Sequence, residues 1–168
     1  IVRARFVGLR DLGPCLPPQS AFQIIQGLET VSLRMVKHCE NAAKVAEFLS
    51  SHNKVERVIY AGLDQDEAGR RANKYLNGGF GALCGFELKG GKASGQKFID
   101  NLNMFRHVAN VGDTRSLAIH PATTTHSQLD EDALVAAGSP PELIRLSIGI
   151  EDIEDIIDDL SQALDSAK

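Results

Sequence analysis

No apolar run in this sequence approaches the roughly 20 residues needed to cross a bilayer, so no membrane-spanning helix is expected. Positive charge is also in short supply: 18 Lys and Arg stand against 22 Asp and Glu, for a net charge of −4 at pH 7. The basic residues are scattered, whereas neutralising a phosphate backbone needs them clustered, so nucleic acid is a poor partner. Cysteine is scarce. Cys15, Cys39 and Cys84 are odd in number, far apart and not in a C-x-x-C pair. Neither a disulfide framework nor a zinc site follows, and a reducing, cytoplasmic setting is expected. The chain opens Ile1-Val2-Arg3-Ala4-Arg5-Phe6, without an initiating Met or a charged-then-apolar leader, as expected of a piece of something longer. What remains is 168 residues with 43% hydrophobic content, enough for one compact domain with a core.

The spacing of apolar residues predicts how that domain is organised. Residues 1–18 carry Gly8, Gly13, Pro14, Pro17 and Pro18 and read as an irregular connector to residues 19–168. A long helix is expected from Gln19 or Ser20 to Ser50, with Leu28, Val31, Met35, Cys39, Ala42, Ala46 and Leu49 on one face and a bend or break at Gly27. Strands and helices then alternate. Strands are expected at 55–60, 82–88, 105–109, 116–120 and 143–148, and helices at 67–76, 94–102, 130–137 and 152–167. This pattern predicts an α/β two-layer sandwich: a small mixed or antiparallel sheet of four or five strands with helices on one face. The last helix and its approach carry seven acids and Lys168. They read as a solvated face, with the first-turn acids favoured by the helix dipole.

Few residues suggest chemistry on local pattern alone. Arg145 stands in the apolar strand Leu143-Ile144-Arg145-Leu146-Ser147-Ile148, where a guanidinium is costly unless it meets an anion. That anion is either a ligand carboxylate, which the planar fork suits bidentately, or an acid of the chain itself. Asn110 to Leu117 is a loop feeding a strand; such loops can present N–H groups and hydroxyls to a ligand, but on its own pattern it reads as an ordinary turn. His120 and His126 are six apart with Pro121 nearby, which is not a metal-ligand spacing, so no metal is expected. Thr123, Thr124, Thr125 and Ser127 could cap the next helix, the default for such hydroxyls, or touch a ligand. Gly78-Gly79-Phe80-Gly81 precedes a strand, whereas a phosphate cradle opens a helix, so it reads as a turn. No arrangement for nucleophilic catalysis stands out.

Three motifs in order carry a resemblance. Ser116-Leu117, then His120-Pro121-Ala122-Thr123-Thr124-Thr125-His126, then Arg145-Leu146-Ser147-Ile148-Gly149-Ile150-Glu151-Asp152 resemble the C-terminal pattern of the Cys/Met-metabolism pyridoxal-phosphate (PLP) enzymes. Gly27 to Met35 and Val58 to Leu63 fit the same pattern. Leu9-Arg10-Asp11-Leu12-Gly13-Pro14, His38-Cys39-Glu40-Asn41-Ala42 and Asn110 to Leu117 look most like the O-acetylhomoserine sulfhydrylase subgroup.

That resemblance implies the small C-terminal domain of the type-I PLP-dependent transferase fold. The parent enzyme would replace the acetate of O-acetylhomoserine with sulfide or a thiol, making homocysteine for methionine biosynthesis. Arg145 matches the residue that holds the substrate α-carboxylate, Ser116 and Leu117 match positions that orient it, and Thr125 matches a position near the same group. Arg115 stands where the cystathionine enzymes typically carry Glu, which implies a small anionic or thiol acceptor. The family's Schiff-base lysine sits in a Ser-x-Thr-Lys context. None of Lys37, Lys44, Lys54, Lys74, Lys89, Lys92, Lys97 or Lys168 has that context. The resemblance therefore implies no catalytic or cofactor-binding residue in this chain and no activity from it alone. PLP, the N-terminal large domain and a homo-oligomeric assembly would belong to the parent. Two rivals stand beside this reading: a stand-alone domain that binds an amino acid or regulates a partner, and a cystathionine synthase or lyase.

Overall fold

The structure, a computed structural model, describes residues 1–63 and 67–167. Lys168 therefore lies outside the described residues. The chain divides into two compact units, Ile1–Leu33 and Arg34–Lys168.

In the first unit the expected irregular connector is instead helical. Ala4–Asp11 forms a π-helix, and the amide of Leu12 reaches five residues back to the Val7 carbonyl at 3.2 Å. Gly13, at φ 65°, ends it in the left-handed conformation that favours glycine. Helix α1 spans Pro18–Glu29, with Pro17 extended ahead of it and Pro18 in its first turn, where a missing N–H costs nothing. The expected single long helix is divided at Thr30 (φ −112°, ψ 4°), and α2 begins at Val31. Gly27 stays helical inside α1: a glycine weakens a helix without breaking it unless a neighbouring residue leaves helical geometry. Ile1, Leu12, Phe22 and Leu28 are all well exposed.

Helix α2 (Val31–Ser51) buries Ala42, Val45, Ala46 and Leu49 in the second unit. Strands β1 (Val55–Ile59), β2 (Leu83–Leu88), β3 (Arg106–His107), β4 (Leu117–Ile119) and β5 (Leu143–Ser147) form one sheet in the order β1-β2-β5-β4-β3. Among the described residues only the β3–β4 pair is parallel, so of the two expected sheet types, mixed or antiparallel, the sheet is the mixed one. The connecting helices are α3 (Glu67–Tyr75), α4 (Gly91–Asn101), α5 (Glu131–Ala136) and α6 (Ile153–Ser166).

The period-two alternation of the central strands sorts their side chains between the two faces. Cys84, Phe86 and Leu88 of β2 and Ile144 and Leu146 of β5 are buried together with residues of α2, α4 and α6. Phe86 meets Phe98 of α4 edge-on at 5.4 Å between ring centroids. Each such side chain contributes about 1.5–3 kcal/mol by leaving water. Gly85, Leu143 and Arg145 alternate onto the opposite face.

On α6, Ile153, Ile156, Leu160, Ala163 and Leu164 are buried and Ile157 is half-buried, so one face of the helix packs on the core. The expectation that all seven acids are solvated is corrected at two positions. Glu151 is half-buried. Asp159 is buried, and its carboxylate accepts from the backbone amides of Asn103 and Met104, each at 2.9 Å, and of Phe105 at 3.2 Å. Those amides lie in the α4–β3 connection, where no strand partner satisfies them, so the acid serves as their common acceptor.

Candidate functional site: a one-armed carboxylate pocket

Strand β5 places Arg145 between Gly85 of β2 and Ile119 of β4. Because Ile144 and Leu146 occupy the core side, pleating puts Arg145 on the open face. There it joins a concavity of about 470 Å³. Ile59, Ile119 and Leu143 supply apolar walls, and Thr125, His126 and Ser139 supply polar ones.

Arg145 Nη2 donates to the Asn110 carbonyl at 3.3 Å. Among the described residues no carboxylate forms an ion pair with it. Arg145 is half-buried as a residue and lines the pocket with donors beyond the one given to Asn110, an arrangement suited to a small anionic group.

His120 holds together two connections that contribute to the pocket lining, the turn after β4 and the segment before β5. This buried ring sits with Nε2 2.7 Å from the Pro141 carbonyl and Nδ1 3.0 Å from Thr123 Oγ1. A carbonyl only accepts, so Nε2 carries the proton toward Pro141. Burial lowers the His120 pKa below the usual imidazole value. The Pro141 hydrogen bond opposes that shift, and Lys92 and His107 add to it. The short 3-10 turn Pro121–Thr123 starts from this histidine and carries the chain to Thr125 and His126, whose Oγ1 and Nδ1 lie 2.9 Å apart.

The sequence-derived residues therefore separate. Arg145 and Thr125 line the pocket. Arg115, Ser116 and Leu117 do not. Leu117 is buried in β4, paired with Ser147 of β5 and Arg106 of β3. Arg115 is exposed, with Nε 3.6 Å from Asp113 Oδ1. The Arg115 amide, followed by its charge, holds the Asp113 carboxyl below the usual range. Ser116 is fully buried, and its hydroxyl donates to Glu151 Oε2 at 2.9 Å while accepting the Gly149 amide at 2.9 Å. Sequence reasoning missed Glu151, which it counted among solvated acids, and Ser139, whose neighbourhood carries no motif. The available signal for Glu151 was its place just beyond a buried strand, after a glycine.

Among the described residues no lysine, carboxylate, Phe, Tyr or Trp lines the pocket; His126 is its one aromatic ring. These residues suit a substrate carboxylate and do not by themselves suit holding PLP.

A sequence profile of Cys/Met metabolism PLP-dependent enzymes matches residues 3–165. The chain is 53% identical over 165 residues to the O-acetyl-L-homoserine sulfhydrylase of Leptospira meyeri, covering 98% of this chain and 37% of that protein. It is 46% identical over 162 residues to the L-methionine gamma-lyase of Fusobacterium nucleatum subsp. polymorphum, covering 96% and 41%. A crystal structure described as an O-acetylhomoserine (thiol)-lyase of Campylobacter jejuni, with a pyridoxyl-lysine phosphate adduct, matches with a TM-score of 0.89 at 43% identity, over 98% of this chain and 39% of that one. The chain thus spans about two fifths of the length of the relatives it matches. With a profile match along nearly its whole length and a fold shared with a cofactor-bearing relative, this chain belongs to the Cys/Met metabolism PLP-dependent enzyme family.

Proposed function

We propose that this chain is the substrate-carboxylate-binding C-terminal domain of a PLP enzyme that exchanges the acetate of O-acetylhomoserine for sulfide or a thiol, yielding homocysteine. The observation that carries the reading is Arg145: a guanidinium on the open face of a sheet, in a pocket, hydrogen-bonded to a backbone carbonyl and, among the described residues, paired with no acid. PLP, when bound in the whole protein, supplies the electron sink for the substrate's α- and β-carbons. This chain's part is to grip one end of the substrate. Arg145 takes the carboxylate, Thr125 lies beside it, and Ile59, Ile119 and Leu143 exclude water from the aliphatic portion. The Schiff-base lysine and the remaining wall come from the rest of a longer polypeptide. The first unit's exposed apolar residues, Phe6, Phe22 and Ile25 among them, support a large covering surface there. Alone the chain is inactive, and we place the whole protein in the cytoplasm as a homo-oligomer. Among the described residues no helix is long and apolar enough to cross a membrane.

The test is homocysteine formation by the whole enzyme. Arg145→Ala removes a charge-assisted pair of hydrogen bonds, so kcat/KM for O-acetylhomoserine should fall by about 10- to 1,000-fold. A change under about twofold would remove Arg145 from the site.

Arg115 belongs to the same proposal as the residue that disfavours an amino acid as sulfur donor, since its cation repels a second ammonium group. Arg115→Glu should move preference from sulfide toward cysteine, and unchanged preference would refute it. The similar identity to a methionine gamma-lyase supports elimination as the second reading. Release of a keto acid from O-acetylhomoserine without sulfide would favour it over replacement.

A further inference from the structure

Ser116 lies in a motif of the site, yet its side chain is buried in a hydrogen-bond knot outside the pocket. Glu151 holds that knot. Its Oε1 accepts the Ser116 amide at 2.6 Å and its Oε2 accepts the Ser116 hydroxyl at 2.9 Å. The same hydroxyl accepts the Gly149 amide, and the Ile150 amide donates to the Thr114 carbonyl, both at 2.9 Å. Asn41 of α2 donates to the Gly149 carbonyl at 3.1 Å and to the Glu151 carbonyl at 2.9 Å, tying the turn to the helix. A Cβ on Gly149 would overlap Glu151 Oε2 and stand 2.5 Å from the Thr114 carbonyl oxygen. Glycine there lets the carboxylate lie across the backbone.

The knot anchors one end of the loop 110–116. At the other end the Asn110 carbonyl takes one N–H of Arg145. A long, multiply rotatable side chain is thereby held in one orientation, with its other donors left toward the pocket. Bidentate capture of a carboxylate depends on that orientation as much as on charge.

The geometry points to Glu151 as a positioning residue: by clamping Ser116 it fixes the loop whose Asn110 carbonyl aims the Arg145 guanidinium into the pocket. This rests on the reading of Arg145 as a carboxylate anchor. Ser116 then acts as the link in the clamp, with its hydroxyl committed to Glu151 and Gly149.

The experiment is an equilibrium titration of the whole protein with norleucine and with norleucinamide, which share a side chain and differ at the carboxyl group. The readout is the ratio of the two dissociation constants. Arg145→Ala should collapse the preference for the acid. Glu151→Ala should reduce it about tenfold while the amide's affinity stays within about twofold, because only the carboxylate senses the guanidinium's aim. Glu151→Gln keeps one acceptor for the Ser116 amide and should restore part of the ratio. A merely structural role would weaken both ligands alike and leave the ratio unchanged, which overturns the inference. If Glu151→Ala does not fold, Glu151→Gln and Ser116→Ala decide by the same ratio. An unchanged ratio in Arg145→Ala would sink the anchor reading itself. A collapsed ratio there, beside an intact ratio in the Glu151 variants, would sink only the role of Glu151.

Discussion

Replacing Asp159 tests whether one buried acid organises a loop or merely decorates a helix. Its carboxylate accepts three consecutive backbone amides, from Asn103 to Phe105, and the Gln162 side-chain amide at 3.0 Å. Asp159→Ala removes the acceptor and leaves the amides behind. Leaving a buried donor unsatisfied costs about 1–3 kcal/mol. Water can reach part of this half-buried loop, so the sum falls short of three full penalties, at about 3–5 kcal/mol. Against a total stability of about 5–15 kcal/mol for a domain, that is a large fraction. Asp159→Asn keeps one carbonyl oxygen as acceptor and should cost about 1–2 kcal/mol. Asp158→Ala, next door and exposed, should change stability by less than about 0.5 kcal/mol. Urea unfolding of the chain, followed by far-UV circular dichroism, gives all three values. A cost below about 1 kcal/mol for Asp159→Ala would refute the claim that these amides depend on the acid.

Two further predictions follow from titrating groups. His120 has a folded pKa below its usual value because it is buried, so its contribution to stability is complete above about pH 6.5 and is lost as pH falls through the lower folded pKa. The acid arm of a stability–pH curve should flatten in His120→Gln, and an identical arm in both proteins would count against it. Burial pushes the Cys84 thiol up to about 12, whereas Cys15 is exposed, so an aromatic disulfide reagent should label Cys15 quickly and Cys84 only on unfolding. Fast labelling of Cys84 in the folded chain would contradict its burial.

The sheet and its helices were legible because their signals are local and repeated. Ile153 to Leu164 spell a helix face, and alternation in Leu143 to Ser147 spells a strand with Arg145 on the side away from the core. The pocket was legible only through resemblance, since its lining comes from β1, β2, β4, β5 and two connections, and their meeting is a fact of topology. The break at Thr30 was hidden because Gly27, three residues earlier, is the more conspicuous weak point. Asp159 and Glu151 were hidden because an acid that caps distant amides looks, in sequence, like any acid on a polar surface. Ser116 illustrates the converse: its place in a motif was readable, while its partner, 35 positions later, was not.

Strand β5 has one consequence for how such a protein can diversify. Alternate residues of the strand face different surroundings: Ile144 and Leu146 are packed in the core, while Leu143 and Arg145 line the cleft. Substitutions at Leu143, and at Gly85 and Ile59 alongside it, can reshape the cleft for a bulkier or smaller guest while the packed layer beneath is left intact. New selectivity on this scaffold is thus separable from folding, and a library confined to those three positions is a sound place to look for it.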